Sequence, residues 1–231
     1  MSSSGSSSPT ESCITLDDVW RVYDGPSPVV ALQACSISVN KGEYVSIVGP
    51  SGSGKSTLLS ILGVLDMPTR GTYELNGVDV AALSEVERDG IRSHEIGFVF
   101  QSFHLLSARS VRENIELGLL YQGVPRDERI ERARDAAVRV GLEHRLDAVA
   151  ETLSGGEKQR AVIARALVRQ PAVLLCDEPT GNLDSSNASR VMELLGEINS
   201  DGQTVLVITH DAFIAQSAGR TLSIVDGRVA G

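Results

Sequence analysis

Apolar positions along the chain change period several times, and each change marks an element. In residues 13–23 and again in 34–39 apolar side chains alternate with polar ones, the period of a strand covered on one face, and the second stretch runs into the turn residues Asn40-Lys41-Gly42. Residues 44–48 form a short unbroken apolar run, as in a strand covered on both faces, and residues 56–65 have helical spacing. Two more buried runs, 172–176 and 204–209, flank a helical stretch at 185–200, which is a strand-helix-strand unit and so predicts a parallel sheet. Between these halves the texture differs. Ser110-x-x-Glu113 and Pro125 each open a helix, and residues 126–140 are rich in Arg, Glu and Ala before Gly141, so a mostly helical insertion is expected over about residues 102–160. Asn76-Gly77 and Asp226-Gly227 mark tight turns beside strands. The expected class is α/β: a mostly parallel sheet, a small antiparallel β part and an inserted α-helical part.

Composition narrows the partners. A chain of 231 residues with 42% hydrophobic and 22% charged residues makes one globular domain with a lobe inserted into it. A formal charge of −9 disfavours nucleic acid or an anionic membrane surface, so a bound anion has to be held locally. The longest apolar stretches, 58–65 and 204–208, fall short of the roughly 18 to 20 residues of a membrane span, and any membrane contact is expected through another chain. Residues 1–9 are nearly all Ser and lack the basic end and apolar stretch of a secretory signal; residues 1–12 are read as a disordered tail ahead of a single domain at 13–231. Cys13, Cys35 and Cys176 lie too far apart for a zinc or redox motif and are read as reduced thiols in the cytoplasm.

Three motifs carry chemistry. Gly49-Pro50-Ser51-Gly52-Ser53-Gly54-Lys55-Ser56, followed by Thr57, fits the phosphate-loop pattern and sits between a buried strand and a helix, as that loop requires. Its backbone N–H groups and the helix N-terminus cradle phosphates, Lys55 brings an ammonium to the outer ones, and the Ser56 hydroxyl is a magnesium ligand. The run ending in Asp177-Glu178 puts two carboxylates at the carboxyl edge of the sheet: Asp177 suits a metal, and Glu178 suits a base for an attacking water. Ser154-Gly155-Gly156-Glu157 reads both as a capped helix start and as a second anion site, which points to a nucleotide approached from two sides.

The phosphate loop, Gln101 within Phe98-Val99-Phe100-Gln101, Leu153-Ser-Gly-Gly-Glu157, Cys176-Asp-Glu-Pro-Thr180, Asn182-Leu-Asp184 and Thr209-His210-Asp211 stand in the order found in an ABC-transporter ATPase, and the resemblance covers nearly the whole chain after about Cys13. Residues 65–71, 91–101 and 180–184 further resemble the branch serving macrolide-efflux, lipoprotein-releasing and FtsE-type complexes. The resemblance implies a P-loop NTPase core that binds ATP and Mg2+. It implies that Tyr23 stacks on adenine, where the alternative is a core tyrosine of the first strand, and that Gln101 contacts magnesium and the attacking water. It further implies that His210 holds the γ-phosphate and the water with Glu178, and that Asp184 lies at a subunit contact while capping its helix. Ser154 and Gly156 would reach the nucleotide of a second copy in a head-to-tail dimer. An integral membrane permease is the further partner, placing the chain at the inner face of the cell membrane. An FtsE-type ATPase that moves an extracytoplasmic effector without transport is the alternative. Two departures stand out: Lys158 replaces a more usual glutamine, and Ser107-Ala108-Arg109-Ser110 lacks a proline frequent there.

Overall fold

The computed structural model describes residues 11–230. The tail assigned to residues 1–12 lies outside the described residues except at its end, where Ser12 already opens the first strand. β1 (Ser12–Tyr23) and β2 (Val29–Asn40) pair antiparallel, and their alternation buries Ile14, Leu16 and Val19 against Leu32, Ile37 and Val39. β3 (Tyr44–Val48) runs through the glycine-rich loop into α1 (Lys55–Leu62), which ends before residue 65 because Gly63 and Val64, at a φ of 54°, break from the helix. β4 (Arg70–Leu75) and β5 (Val78–Asp79) turn at Asn76-Gly77, both at positive φ. α2 (Glu85–His94) starts from Ser84 in a reciprocal cap with Glu87, and β6 (Ile96–Val99) follows.

α3 (Val111–Leu120), α4 (Arg126–Arg139) and α5 (Gly155–Leu167) build the helical lobe around Ile115, Leu119, Ala133, Ala137 and Val162. α5 passes residue 160 because it also carries the chain back to the sheet. The proline-free loop before α3 is held instead by Asn114, fully buried, which accepts from Leu106 N–H at 2.7 Å and donates to the carbonyls of Leu106 at 3.1 Å and Ser110 at 2.9 Å. β7 (Val173–Asp177), α6 (Ser185–Ser200), β8 (Thr204–Thr209), the short α7 (Ala212–Ala215), β9 (Arg220–Val225) and β10 (Arg228–Ala230) complete the chain.

The strands form a four-stranded antiparallel sheet, β2-β1-β4-β5, and a six-stranded sheet, β10-β9-β3-β8-β7-β6, in which only β10 runs antiparallel. Both faces of the larger sheet are covered, which is why its central strands read as unbroken apolar runs. Leu175 and Leu206 pack with Ile47, Leu58 and Ile61 towards the antiparallel sheet, while Leu174, Cys176, Val205 and Val207 pack with the helical lobe and α6. The parallel strands therefore end along one edge, and the loops after β3, β6, β7 and β8 bring Ser51, Gln101, Glu178 and His210 together there.

Candidate nucleotide-binding site

The phosphate loop owes its path to its packing. A Cβ on Gly49 would run into the backbone carbonyl of Ile224 on β9, so only glycine fits where β3 leaves the sheet. At the other end Gly54, at a φ of 102°, caps α1 with no side-chain hydrogen bond, and the first turn of α1 carries no acidic residue. α2, α3, α5 and α6 all take a side-chain cap, whereas α1 leaves its N–H groups and the positive end of its dipole to an incoming anion. Lys55 Nζ rests on the carbonyls of Gly49 and Pro50, 2.7 Å from each.

A cleft of about 870 Å3 opens over this loop. It gathers Ser51, Gly52, Gly54, Lys55, Ser56 and Thr57 with Gln101, Asp177, Glu178 and His210, four side chains from three other loops. Gly49, Pro50 and Ser53 do not line it. Tyr23 is not among the lining residues: its hydroxyl donates to Asp66 Oδ2 at 3.0 Å and the Arg21 guanidinium lies 4.5 Å from its ring centre. Its cross-strand neighbour Val29 does line the cleft, as does Val30, and these two are 59% and 49% exposed. They form an apolar wall that sequence reasoning missed, as it missed Gln33, Asp226 and Gly227. The β9–β10 turn closes this side, with Gly227 N–H donating to Ser53 O and Gln33 N–H to Gly227 O, both at 2.9 Å.

The carboxylates have distinct environments. Burial pushes the Asp177 carboxyl above its ordinary range, the neighbouring Glu178 adds to this, and Lys55 opposes it. The folded chain thus holds that proton more tightly than the unfolded chain, so stability is full below the ordinary aspartate range and falls as the pH rises through the interval between the two values. Asp177→Asn is expected to melt above the wild type at pH 7, the gap closing as the pH is lowered towards the ordinary aspartate value. Scanning calorimetry at several pH values checks this; a lower melting temperature at pH 7 would contradict it.

Glu178 follows at a φ of 44°, a left-handed conformation that costs a non-glycine residue about 1–2 kcal/mol. Its carboxylate accepts from Thr209 Oγ1 at 2.9 Å and from His210 N–H at 2.9 Å, and pairs with His210 Nδ1 at 2.6 Å. A carboxylate only accepts, so Nδ1 carries the proton in this pair. Gln101 is tied to the loop after β7, its carbonyl accepting from Asn182 Nδ2 at 2.8 Å. Among the described residues no group of three His, Cys, Asp or Glu side chains could cage a metal. The donors on the cleft, Ser56, Asp177 and Gln101, are hard oxygen ligands, few in number. That set fits magnesium, which keeps waters and phosphate oxygens in its shell.

Ser154, Gly155, Gly156, Glu157 and Asp184 stand apart from this cleft. Ser154 N–H and Oγ both donate to Glu157 Oε2 at 2.8 Å, a cap at the start of α5. Asp184 caps α6, accepting from Asn187 N–H at 3.0 Å and Nδ2 at 2.6 Å. The two helix starts touch: a Cβ on Gly156 would collide with Asn187 Oδ1, and Gly155 faces Leu183. They form one patch, set apart from the same chain's cleft.

Fold and site together define a phosphate-loop nucleotide-binding protein. The chain belongs to the ABC transporter family, whose model matches residues 32–181. Among its relatives, the macrolide export ATP-binding/permease protein MacB of Rhodospirillum rubrum is 48% identical over 217 residues, covering 94% of this chain and 33% of the relative. The chain thus spans about a third of the length of the MacB proteins it matches. The ABC transporter ATP-binding protein YvrO of Bacillus subtilis is 44% identical, with 94% of this chain and 95% of the relative covered. The pyoverdine export ATP-binding/permease protein PvdT of Pseudomonas aeruginosa is 45% identical over 94% of this chain and 33% of its own length. The fold matches the dimeric ATP-binding cassette MJ0796 in a post-hydrolysis state bound to ADP and phosphate, with a TM-score of 0.84, 39% identity, and 94% and 97% of the two chains covered.

Proposed function

We propose that this chain is the ATP-binding and ATP-hydrolysing subunit of an exporter, acting on a separate membrane permease. The observation that carries the reading is the single cleft in which an uncapped helix start, Lys55, Asp177, Glu178, Gln101 and His210 converge. The triphosphate lies on the N–H groups of residues 52–57, and Lys55 exchanges two neutral carbonyls for charged phosphate oxygens. Ser56, Asp177 and Gln101 hold magnesium, which when bound neutralises phosphate charge and polarises the γ-phosphorus. Glu178 takes a proton from the attacking water as the new O–P bond forms and the bond to the β-phosphate oxygen breaks. His210 holds the γ-phosphate. Val29 and Val30 offer an apolar surface to the base, beside Tyr23.

The patch of Ser154, Gly156 and Asp184 supports a head-to-tail dimer, in which each patch completes the cleft of the other copy. Nucleotide charge is then neutralised only when both copies close, so hydrolysis and phosphate release weaken the contact. Among the described residues no helix is long and apolar enough to cross a membrane. In this reading the permease spans the bilayer and holds the chain at the cytoplasmic face. MacB and PvdT, the relatives above whose names give a cargo, are export proteins, and this favours export over the FtsE-type alternative. Glu178→Gln is expected to be monomeric without nucleotide and dimeric with ATP in light scattering. The ATP-trapped dimer should capture an integral membrane permease from detergent-solubilised membranes. One stable dimer in both conditions would overturn nucleotide-gated assembly; capture of a cell-wall hydrolase regulator would shift the reading to the alternative.

A further inference from the structure

We propose that Thr209 is a positioning residue for hydrolysis, the group that keeps the Glu178 carboxylate aimed while His210 changes partner. The inference rests on the reading of Glu178 as the base. Glu178 lies beyond the end of β7, and its backbone N–H is tied to the carbonyl of Ile208 at 2.9 Å. The aim of its side chain is set by the next strand. His210 N–H and Nδ1 both fall on Oε1, while Thr209 Oγ1 takes Oε2 at 2.9 Å.

Each carboxylate oxygen thus has its own holder, and the two holders differ in what they are free to do. The His210 ring lines the cleft and leaves, or shares, its bond to Oε1 when it engages the γ-phosphate. Thr209 is 1% exposed at the end of β8 and does not line the cleft. Its branched side chain is stiff about χ1. Its hydroxyl accepts from Asp211 N–H at 3.0 Å, which leaves its one proton for Glu178. Thr209 is therefore the side-chain contact that persists through the ATP cycle and, among the described residues, the only holder of Oε2, while the His210 backbone N–H stays on Oε1.

The test is steady-state ATPase kinetics on Thr209→Val, Thr209→Ala, Thr209→Ser, Glu178→Gln and the Thr209→Val/Glu178→Gln pair, with ATP affinity measured beside each. Removing the hydroxyl as Val or as Ala is expected to lower kcat about 10- to 100-fold, the range for a lost hydrogen bond to a charged group, with KM and ATP affinity unchanged. Thr209→Ser should recover most of the rate, and Thr209→Val should cost nothing further in the Glu178→Gln background. Using both Val and Ala keeps the test open if one of them does not fold. Wild-type kcat in Thr209→Val or Thr209→Ala, an equal loss in Thr209→Ser, or additive losses in the pair would each overturn the proposal. Undiminished turnover in Glu178→Gln would instead remove the base reading beneath it, so the two failures are distinguishable.

Discussion

Glu178→Gln is expected to lower ATP turnover by about 10²- to 10⁴-fold while leaving ATP bound, because on the reading proposed above it removes the positioned base. The amide has the same size and inherits the left-handed backbone, so the turn after β7 survives. What changes is the acceptor count. The carboxylate takes donors on both oxygens, from Thr209 on one and from His210 on the other, and an amide has a single oxygen to offer. One of these contacts is lost, at a cost of about 1.5–3 kcal/mol at most, and the proton of the attacking water has nowhere to go. Phosphate release measured beside equilibrium ATP binding separates the two effects. Wild-type turnover in this variant would take Glu178 out of the reaction.

Lys55→Ala is expected to act one step earlier, on nucleotide affinity itself, weakening ATP binding by about 10- to 100-fold through loss of a charge-assisted contact. The ammonium also ties the loop internally through the carbonyls of Gly49 and Pro50. Its removal therefore loosens the cradle as well as emptying it of charge. Calorimetric titration with ATP reads the effect, and an unchanged affinity would count against the phosphate-loop reading. The contrast with Glu178→Gln is diagnostic: one variant keeps its affinity and loses turnover, the other loses affinity first.

The central strands were legible because burial on both faces leaves an unbroken apolar signature, as at Tyr44–Val48 and Thr204–Thr209. α2 and β6 left no such trace. α2 has no fully buried residue, so no apolar period marks it, although Ser84-x-x-Glu87 is the same capping signal that announced α3. β6 is four residues long and includes Gly97. In the site, residues whose side chains do chemistry could be picked out by type and spacing, and Lys55, Ser56, Gln101, Asp177, Glu178 and His210 meet in one cleft. Its walls could not. Val29 and Val30 resemble any exposed strand residues, and Asp226-Gly227 announces a turn without saying what the turn will touch. At Tyr23 the sequence marks an aromatic ring but not its contacts, Arg21 against the ring and Asp66 on the hydroxyl.

The seal made by the β9–β10 turn has a consequence for biogenesis. Ala31, Ser53, Glu178, His210 and Gly227 meet in the cleft or its wall although they come from nearly opposite ends of the chain. Such long-range closure is the slow part of folding. During synthesis the phosphate loop leaves the ribosome early, yet its last wall arrives only with residues 220–230. A nascent chain cannot form the finished nucleotide site until then, and in refolding ATP binding should rise with the final consolidation of the sheet, later than the helical signal.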